Sequence, residues 1–189
     1  MRKKEAREIF MEKRDTITDA QQLKWDDLIL IQLQTIDLPF ISNVLSFYSI
    51  PEKREVNSFS ITEYLKFRNP SLQVAYPRMN VADTTMDAVV SHADEAFADN
   101  EFGITEPTGS DIIPPAEIEL VLVPLLAIDA KGHRVGYGKG YYDRFLSGCD
   151  PQCLKIGLSY FEPIEALEDA ADYDIPLDLC ITPQQVYVF

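Results

Sequence analysis

Apolar and polar positions recur along the chain in two rhythms, one of about 3.6 residues and one of about 2. Lys3–Lys13 follows the longer one, with Lys3, Arg7, Phe10 and Arg14 at i, i+4, i+7 and i+11 on one helical face. Thr18-Asp19-Ala20-Gln21 fits a capping box. The helix it opens is expected to run to about Thr35, with Leu23, Leu28, Ile31 and Leu33 in the core and Trp25 in packing. Asn43–Ile50, β-branched and aromatic, predicts a buried strand. Ser58 is the expected cap of a helix through about Phe67, which Asn69-Pro70 stops.

Leu72–Tyr76 predicts a second strand closed by Pro77-Arg78, and Asp87–His92 a short third. Ile113-Pro114-Pro115 marks a rigid turn before Ile118–Ile128, an apolar run read as the central strand and a short extension. Tyr141–Leu146 starts a helix, Leu154–Tyr160 is another strand, and the mostly acidic Phe161–Ala171 has helical spacing. Leu179–Thr182 and Val186–Phe189 complete the sheet. Strands separated by helices predict an α/β fold, with a mainly parallel sheet flanked by helices in one domain spanning 1–189. Ligands of such folds bind at the carboxyl ends of the strands.

Charge narrows the function classes. The 17 basic and 31 acidic residues give a net charge of −14, which argues against a nucleic-acid partner. No apolar run reaches the roughly 20 residues of a membrane span. Met1–Arg7 lacks the apolar core of a signal peptide, which leads to an expected cytoplasmic location. Cys149, Cys153 and Cys180 have no metal-ligand spacing and read as thiols of a reducing compartment. Val81 to Ala130 contains no Lys or Arg, whereas cations gather at the N-terminus and around Lys131–Arg144. An acidic protein that binds an anion must build a local positive pocket, and these two clusters are its natural halves.

Gly132–Asp143, G-H-R-V-G-Y-G-K-G-Y-Y-D, carries the chemistry. Gly136, Gly138 and Gly140 permit positive φ and close ligand approach. Their amides, with a helix start behind them, form an anion cradle. Arg134 and Lys139 add cations, and Asp143 adds a carboxylate suited to Mg²⁺. The spacing matches neither the P-loop nor the dinucleotide fingerprint. On the residues alone, the loop is either a nucleotide cradle or a turn, the Lys3–Arg14 face is either a ligand wall or a solvated face, and Glu55 is a surface carboxylate. His92, alone on an apolar run, reads as a satisfied structural histidine, and His133 takes no role.

Val123–Phe145, V-P-L-L-A-I-D-A-K-G-H-R-V-G-Y-G-K-G-Y-Y-D-R-F, resembles the signature of the 5-formyltetrahydrofolate cyclo-ligases, also called 5,10-methenyltetrahydrofolate synthetases. Lys3 to Arg7 matches that family's K-x-x-x-R, the segment to Glu55 its pocket motif, and Phe102-Gly103-Ile104-Thr105-Glu106-Pro107 its F-G-[IL]-x-E-P. The resemblance implies an enzyme that closes 5-formyltetrahydrofolate to 5,10-methenyltetrahydrofolate with MgATP as cosubstrate, acting as a monomer on small molecules. It implies that Lys3, Lys4, Arg7, Arg134, Gly136, Tyr137, Gly138, Lys139, Gly140, Tyr141 and Tyr142 bind ATP. Ile50, Glu55 and the 137–141 loop would meet the folate, and Arg134 and Lys139 would be catalytic. Asp143 and Asp174 would hold Mg²⁺, with Asp178 as an alternative to Asp174. Glu106 positions either ligand or fold. The rivals are a binding protein of the same fold without turnover and an α/β enzyme acting on a sugar phosphate.

Overall fold

A computed structural model describes residues 1–92, 97–100 and 103–189. The expected Phe102 of the F-G-[IL]-x-E-P motif lies outside the described residues. In chain order the elements are α1 (Lys3–Asp15), α2 (Asp19–Gln34), β1 (Asn43–Leu45), α3 (Ser58–Arg68), β2 (Gln73–Asn80) and β3 (Thr85–Val90). There follow β4 (Phe97–Asp99), β5 (Thr105–Pro107), β6 (Ile112–Ile113), β7 (Leu120–Pro124), β8 (Ala127–Ile128) and β9 (Arg134–Val135). The chain closes with α4 (Tyr141–Ser147), β10 (Leu154–Leu158), β11 (Leu179–Ile181) and β12 (Val186–Val188).

Eight strands form the main sheet in the order β12-β11-β10-β7-β1-β2-β3-β6. The five from β11 to β2 pair in parallel, and the edges β12, β3 and β6 are antiparallel. The pleat sends successive residues to opposite faces. Val44, Leu120 and Leu122 therefore face α2 and α3 in one core layer. Leu45, Val121 and Val123 face α4 in the other. The β1-α3-β2 and β7-α4-β10 crossovers travel in opposite directions, and crossovers of one hand then place their helices on opposite faces.

Local chemistry accounts for several boundaries. The Thr18 capping box forms as the spacing predicts. The buried stripe of α2 is Asp26, Ile29 and Leu33, so Leu23 and Ile31 are exposed, contrary to expectation. Asn57, not Ser58, caps α3, and it frees the Ser58 hydroxyl to tie back to the Phe47 carbonyl. β2 runs through Pro77. Its β1 pairing ends at Ala75, and the Met79 amide two residues on points away from β3 toward Glu106. Position 77 points the same way, so its missing N–H breaks no ladder bond. The ladder of β1 stops at Leu45, and Ile118–Ile128 divides into β7 and β8.

Phe161–Ala171 forms no helix. Pro163 removes an amide, and tertiary partners take three others. Ile164 donates to the Ile128 carbonyl, Leu167 to Asp129 and Glu168 to the Met1 carbonyl. His92 is exposed and its ring meets Asp111 at 3.0 Å, so it is satisfied at the surface. His133 sits 3.3 Å from Asp129, a buried carboxylate that also receives three backbone amides. The three cysteines are free, with Cys153 and Cys180 buried.

Candidate active site

β1 and β7 lie side by side, yet their crossovers leave in opposite directions. A crevice opens where a parallel sheet reverses in this way. A cleft of about 680 Å³ occupies that place, lined by Phe47, Tyr48 and Ile50 beyond β1 and by Pro124 at the end of β7. The N-terminal half of α1 supplies Lys3, Lys4 and Arg7, and a late segment supplies Asp169, Tyr173 and Asp174. All fifteen residues expected from the sequence to bind ATP, folate or metal line this one cleft. Its size suits a small-molecule site.

The β8–β9 hairpin launches the glycine loop. Gly138 and Gly140 have φ of +91° and +73°, whereas Gly136 does not enter that region. The expected need for positive φ therefore holds at two of the three glycines. A Cβ at 138 would lie 3.2 Å from the Arg7 guanidinium carbon. Arg7 in turn donates through Nε to the Gly136 carbonyl at 2.9 Å. The loop is thus docked on a cation of α1. Lys139 is exposed, with its ammonium unbonded among the described residues.

Two carboxylates stand nearby. Asp143 Oδ1 accepts from Arg134 Nη2 at 2.8 Å and from the Ile175 amide at 3.1 Å. Arg134 also donates to the Ile175 carbonyl at 2.8 Å. Its guanidinium, expected to face phosphate, lines the cleft and in the free protein clamps Asp143 against the 174–175 backbone. Asp174 Oδ2 accepts from the Lys3 ammonium and from the Ala171 amide. Burial opposes ionisation of Asp174, but Lys3, that amide and Arg134 together hold its carboxyl below the usual range. Asp143 Oδ2 and Asp174 Oδ1 accept no hydrogen bond among the described residues. Asp178 lies away from the cleft, bound to the Lys155 amide and ammonium at 2.7 and 2.9 Å.

Two carboxylates with one free oxygen each, beside several cations, suit a hard divalent ion. Mg²⁺ takes one or two protein carboxylates and completes its shell with water and phosphate. Among the described residues no group of three His, Cys, Asp or Glu stands together as a self-sufficient cage. A metal here would complete its shell with water or with phosphate oxygens.

Glu55 is buried, not the surface carboxylate that its sequence context suggests. Oε2 receives the Ile50 amide at 2.9 Å and Oε1 the Tyr137 hydroxyl at 2.7 Å. Its carbonyl accepts from Gln22 at 3.2 Å, and the Tyr160 hydroxyl, which donates to Asp26 at 2.7 Å, lies 3.2 Å from it. Burial and the adjoining Glu55 charge push the Tyr137 phenol up, which keeps it a donor. The Lys53 ammonium lies 4.3 Å above the Tyr137 ring. The Tyr142 hydroxyl is buried without a partner among the described residues. Burial, then the Glu55 charge, holds it protonated. Glu106 stands behind the cleft and accepts from the Met79 amide and the Asn100 side chain, both at 2.9 Å. Lys53, Tyr48, Tyr173 and Met79 also line the cleft, and nothing in their sequence context marks them.

A cationic, carboxylate-bearing cleft at the switch point of an α/β sheet is the site of an enzyme that handles phosphorylated substrates. The family model for the 5-formyltetrahydrofolate cyclo-ligase family matches residues 1–183. A 5-formyltetrahydrofolate cyclo-ligase of Mycoplasma genitalium is 32% identical over 181 residues, 94% of this chain and 97% of that one. The solved structure of a 5,10-methenyltetrahydrofolate synthetase from Mycoplasma pneumoniae superposes with a TM-score of 0.78 at 25% identity, covering 97% of this chain and 99% of that one. The NMR structure of the Aquifex aeolicus 5,10-methenyltetrahydrofolate synthetase gives 0.81 at 26% identity, covering 100% and 93%. The chain belongs to the 5-formyltetrahydrofolate cyclo-ligase family. Its reaction is the closure of 5-formyltetrahydrofolate to 5,10-methenyltetrahydrofolate with ATP as cosubstrate.

Proposed function

We propose that this cleft carries out the ring closure with a division of labour between its two ends. The chemical obstacle is the formyl oxygen, which is amide-like and leaves poorly. Transfer of the terminal phosphoryl group of ATP to that oxygen gives an iminium phosphate and ADP. N10 of the folate then attacks the formyl carbon and loses its proton to solvent, the C–O bond breaks and phosphate departs. Phosphoryl transfer of this kind depends on positioning and charge neutralisation.

Lys3, Lys4, Arg7 and Lys139 surround the phosphates, with the amides of the 136–140 loop beneath them. Arg134 acts by holding Asp143 in place and by keeping a positive charge beside both carboxylates. Asp143 and Asp174 would hold Mg²⁺, which would supply charge neutralisation to the phosphates. Lys3 is paired with Asp174 in the free protein. With ligands bound, Lys3 would be the cation for phosphate, and Asp174 would be the carboxylate that holds the metal. At the other end Glu55, Ile50 and Tyr137 meet the folate, and the rings of Tyr141 and Tyr142 contact the ligands. We further take residues 1–189 to work as one domain, as a cytoplasmic monomer without nucleic-acid or membrane partners. Among the described residues no helix is long and apolar enough to cross a membrane.

The observation that carries this reading is the free oxygen on each of Asp143 and Asp174 within one cationic cleft. The test is the near-ultraviolet spectrum of the protein mixed with 5-formyltetrahydrofolate, with MgATP, with ATP plus a chelator, and without nucleotide. A methenyl chromophore is expected with MgATP alone. Equal rates with the chelator would remove the metal from the proposal.

A further inference from the structure

Arg14 lies on the same helical face as Lys3 and Arg7, yet it does not line the cleft. It is 4% exposed, a buried guanidinium at the end of α1. Among the described residues no carboxylate lies within ion-pair distance of it. Nη2 donates to the Leu125 carbonyl, and Nη1 donates to the Tyr137 hydroxyl at 3.3 Å. That hydroxyl has a single hydrogen and gives it to Glu55 Oε1 at 2.7 Å. The formal charge that answers this buried cation is thus Glu55, reached through one phenol.

The chain of bonds has a direction. A cation donating to the phenol oxygen polarises its O–H and strengthens the bond that the phenol donates in turn. The same oxygen of Glu55 is thereby oriented from Tyr137, while the Ile50 amide orients the other. Lys53, stacked on the Tyr137 ring, restrains the ring but offers the hydroxyl no hydrogen bond. Arg14 ties the C-terminal end of α1 to the folate end of the cleft by hydrogen bonds to the Leu125 carbonyl and the Tyr137 hydroxyl.

We propose that Arg14 is a positioning residue for Glu55, acting through the Tyr137 hydroxyl, and that it governs affinity for the folate and not for the nucleotide. The proposal rests on the reading that Glu55 meets the folate. It separates Arg14 from Lys3 and Arg7, its neighbours on α1, which face phosphate.

The experiment is steady-state kinetics of wild type, Arg14→Met, Tyr137→Phe and the double variant, with each substrate varied in turn. Each single change should raise KM for 5-formyltetrahydrofolate roughly tenfold, the scale of one charge-assisted hydrogen bond. KM for MgATP should stay within about twofold of wild type. In the Tyr137→Phe background the Arg14 change should add nothing further, because the two act in series. Equal rises in both KM values, or the same folate effect with and without the phenol, would make Arg14 a helix anchor only and overturn the proposal. Arg14→Lys keeps the charge but cannot span two acceptors as the guanidinium fork does. It serves the same cycle, with a smaller folate effect expected, if the methionine variant does not fold. A wild type that turns over but lacks this pattern refutes the Arg14 proposal alone. A wild type without turnover on this folate removes the role of Glu55 as well.

Discussion

Replacing Asp143 separates the bonds it makes to Arg134 and Ile175 from the metal role proposed for it. Oδ1 restrains Arg134 and the Ile175 amide, and Oδ2 is free in the cleft. Asp143→Ala removes both functions and leaves Arg134, whose side chain is 7% exposed, without its carboxylate. Breaking a buried pair costs ~3–5 kcal/mol. Asp143 is itself 24% exposed, which lowers the loss to ~2–3 kcal/mol. At roughly 2–4 °C per kcal/mol for a chain of this size, Tm should drop by about 4–12 °C. Asp143→Asn is the sharper probe. Its carbonyl still accepts from Arg134 and Ile175, so the loss shrinks to about 1 kcal/mol, or roughly 2–4 °C. Its other atom is an amide nitrogen, which cannot hold a cation. Turnover should fall ~100-fold or more, the scale of losing one charge-stabilising group around a transferring phosphoryl. The half-saturating Mg²⁺ concentration should rise as well. Initial rates of methenyl absorbance across a Mg²⁺ series, beside thermal unfolding of the same samples, measure both quantities. An Asp143→Asn enzyme with wild-type rate and Mg²⁺ dependence would show that Asp143 serves only Arg134, and the metal assignment would fail.

Lys139→Ala should raise KM for ATP, lower kcat or both, and leave Tm within about 1 °C, since an exposed side chain without partners contributes little stability. Unchanged kinetics in both substrates would remove Lys139 from the site. Asp26 gives a pH test. Burial raises its carboxyl, and the Tyr160 and Asn57 hydrogen bonds only partly offset that effect. The folded state therefore holds this proton more tightly than the unfolded chain, and stability is lost as pH rises through the raised folded value. Asp26→Asn keeps an oxygen for both donors, so it should be more stable than wild type at neutral pH. The gap should close as pH falls toward the ordinary carboxylate range. A Tm difference constant with pH would contradict the sign.

Patterns confined to short stretches were legible in the chain itself. The T-x-x-Q box needs only its own four residues, and Thr18 caps α2 as the sequence predicts. The glycine loop and α4 follow one another as read, because their determinants are contiguous. Phe161–Ala171 has helical spacing, but its amides bond to Ile128, Asp129 and Met1, partners far away in sequence. The fate of Arg134 was equally hidden. Its spacing from Lys139 suggests a phosphate ligand, whereas only the three-dimensional fold brings Ile175 to its other side. Arg14 did carry a sequence signal, at i+11 from Lys3. That signal named a face and could not say that the end of the face turns inward. Glu55 was equally open on local evidence, since its burial depends on Gln22, Tyr137 and Tyr160 arriving from three separate segments.

The position of α1 also bears on how the molecule is made. Arg7 bonds to Gly136, 129 residues later, and Lys3 to Asp174, 171 residues later. A chain emerging from the ribosome therefore carries Lys3 and Arg7 long before the groups to which they bond. The core partners of Ala6 and Phe10, which are Leu126, Ala127, Val135 and Leu167, also come late in the sequence, so the docking of α1 joins two distant parts of the polypeptide. The cost of closing so long a loop grows only with the logarithm of its length. Distance along the chain thus delays the appearance of a working cleft far more than it weakens the finished one.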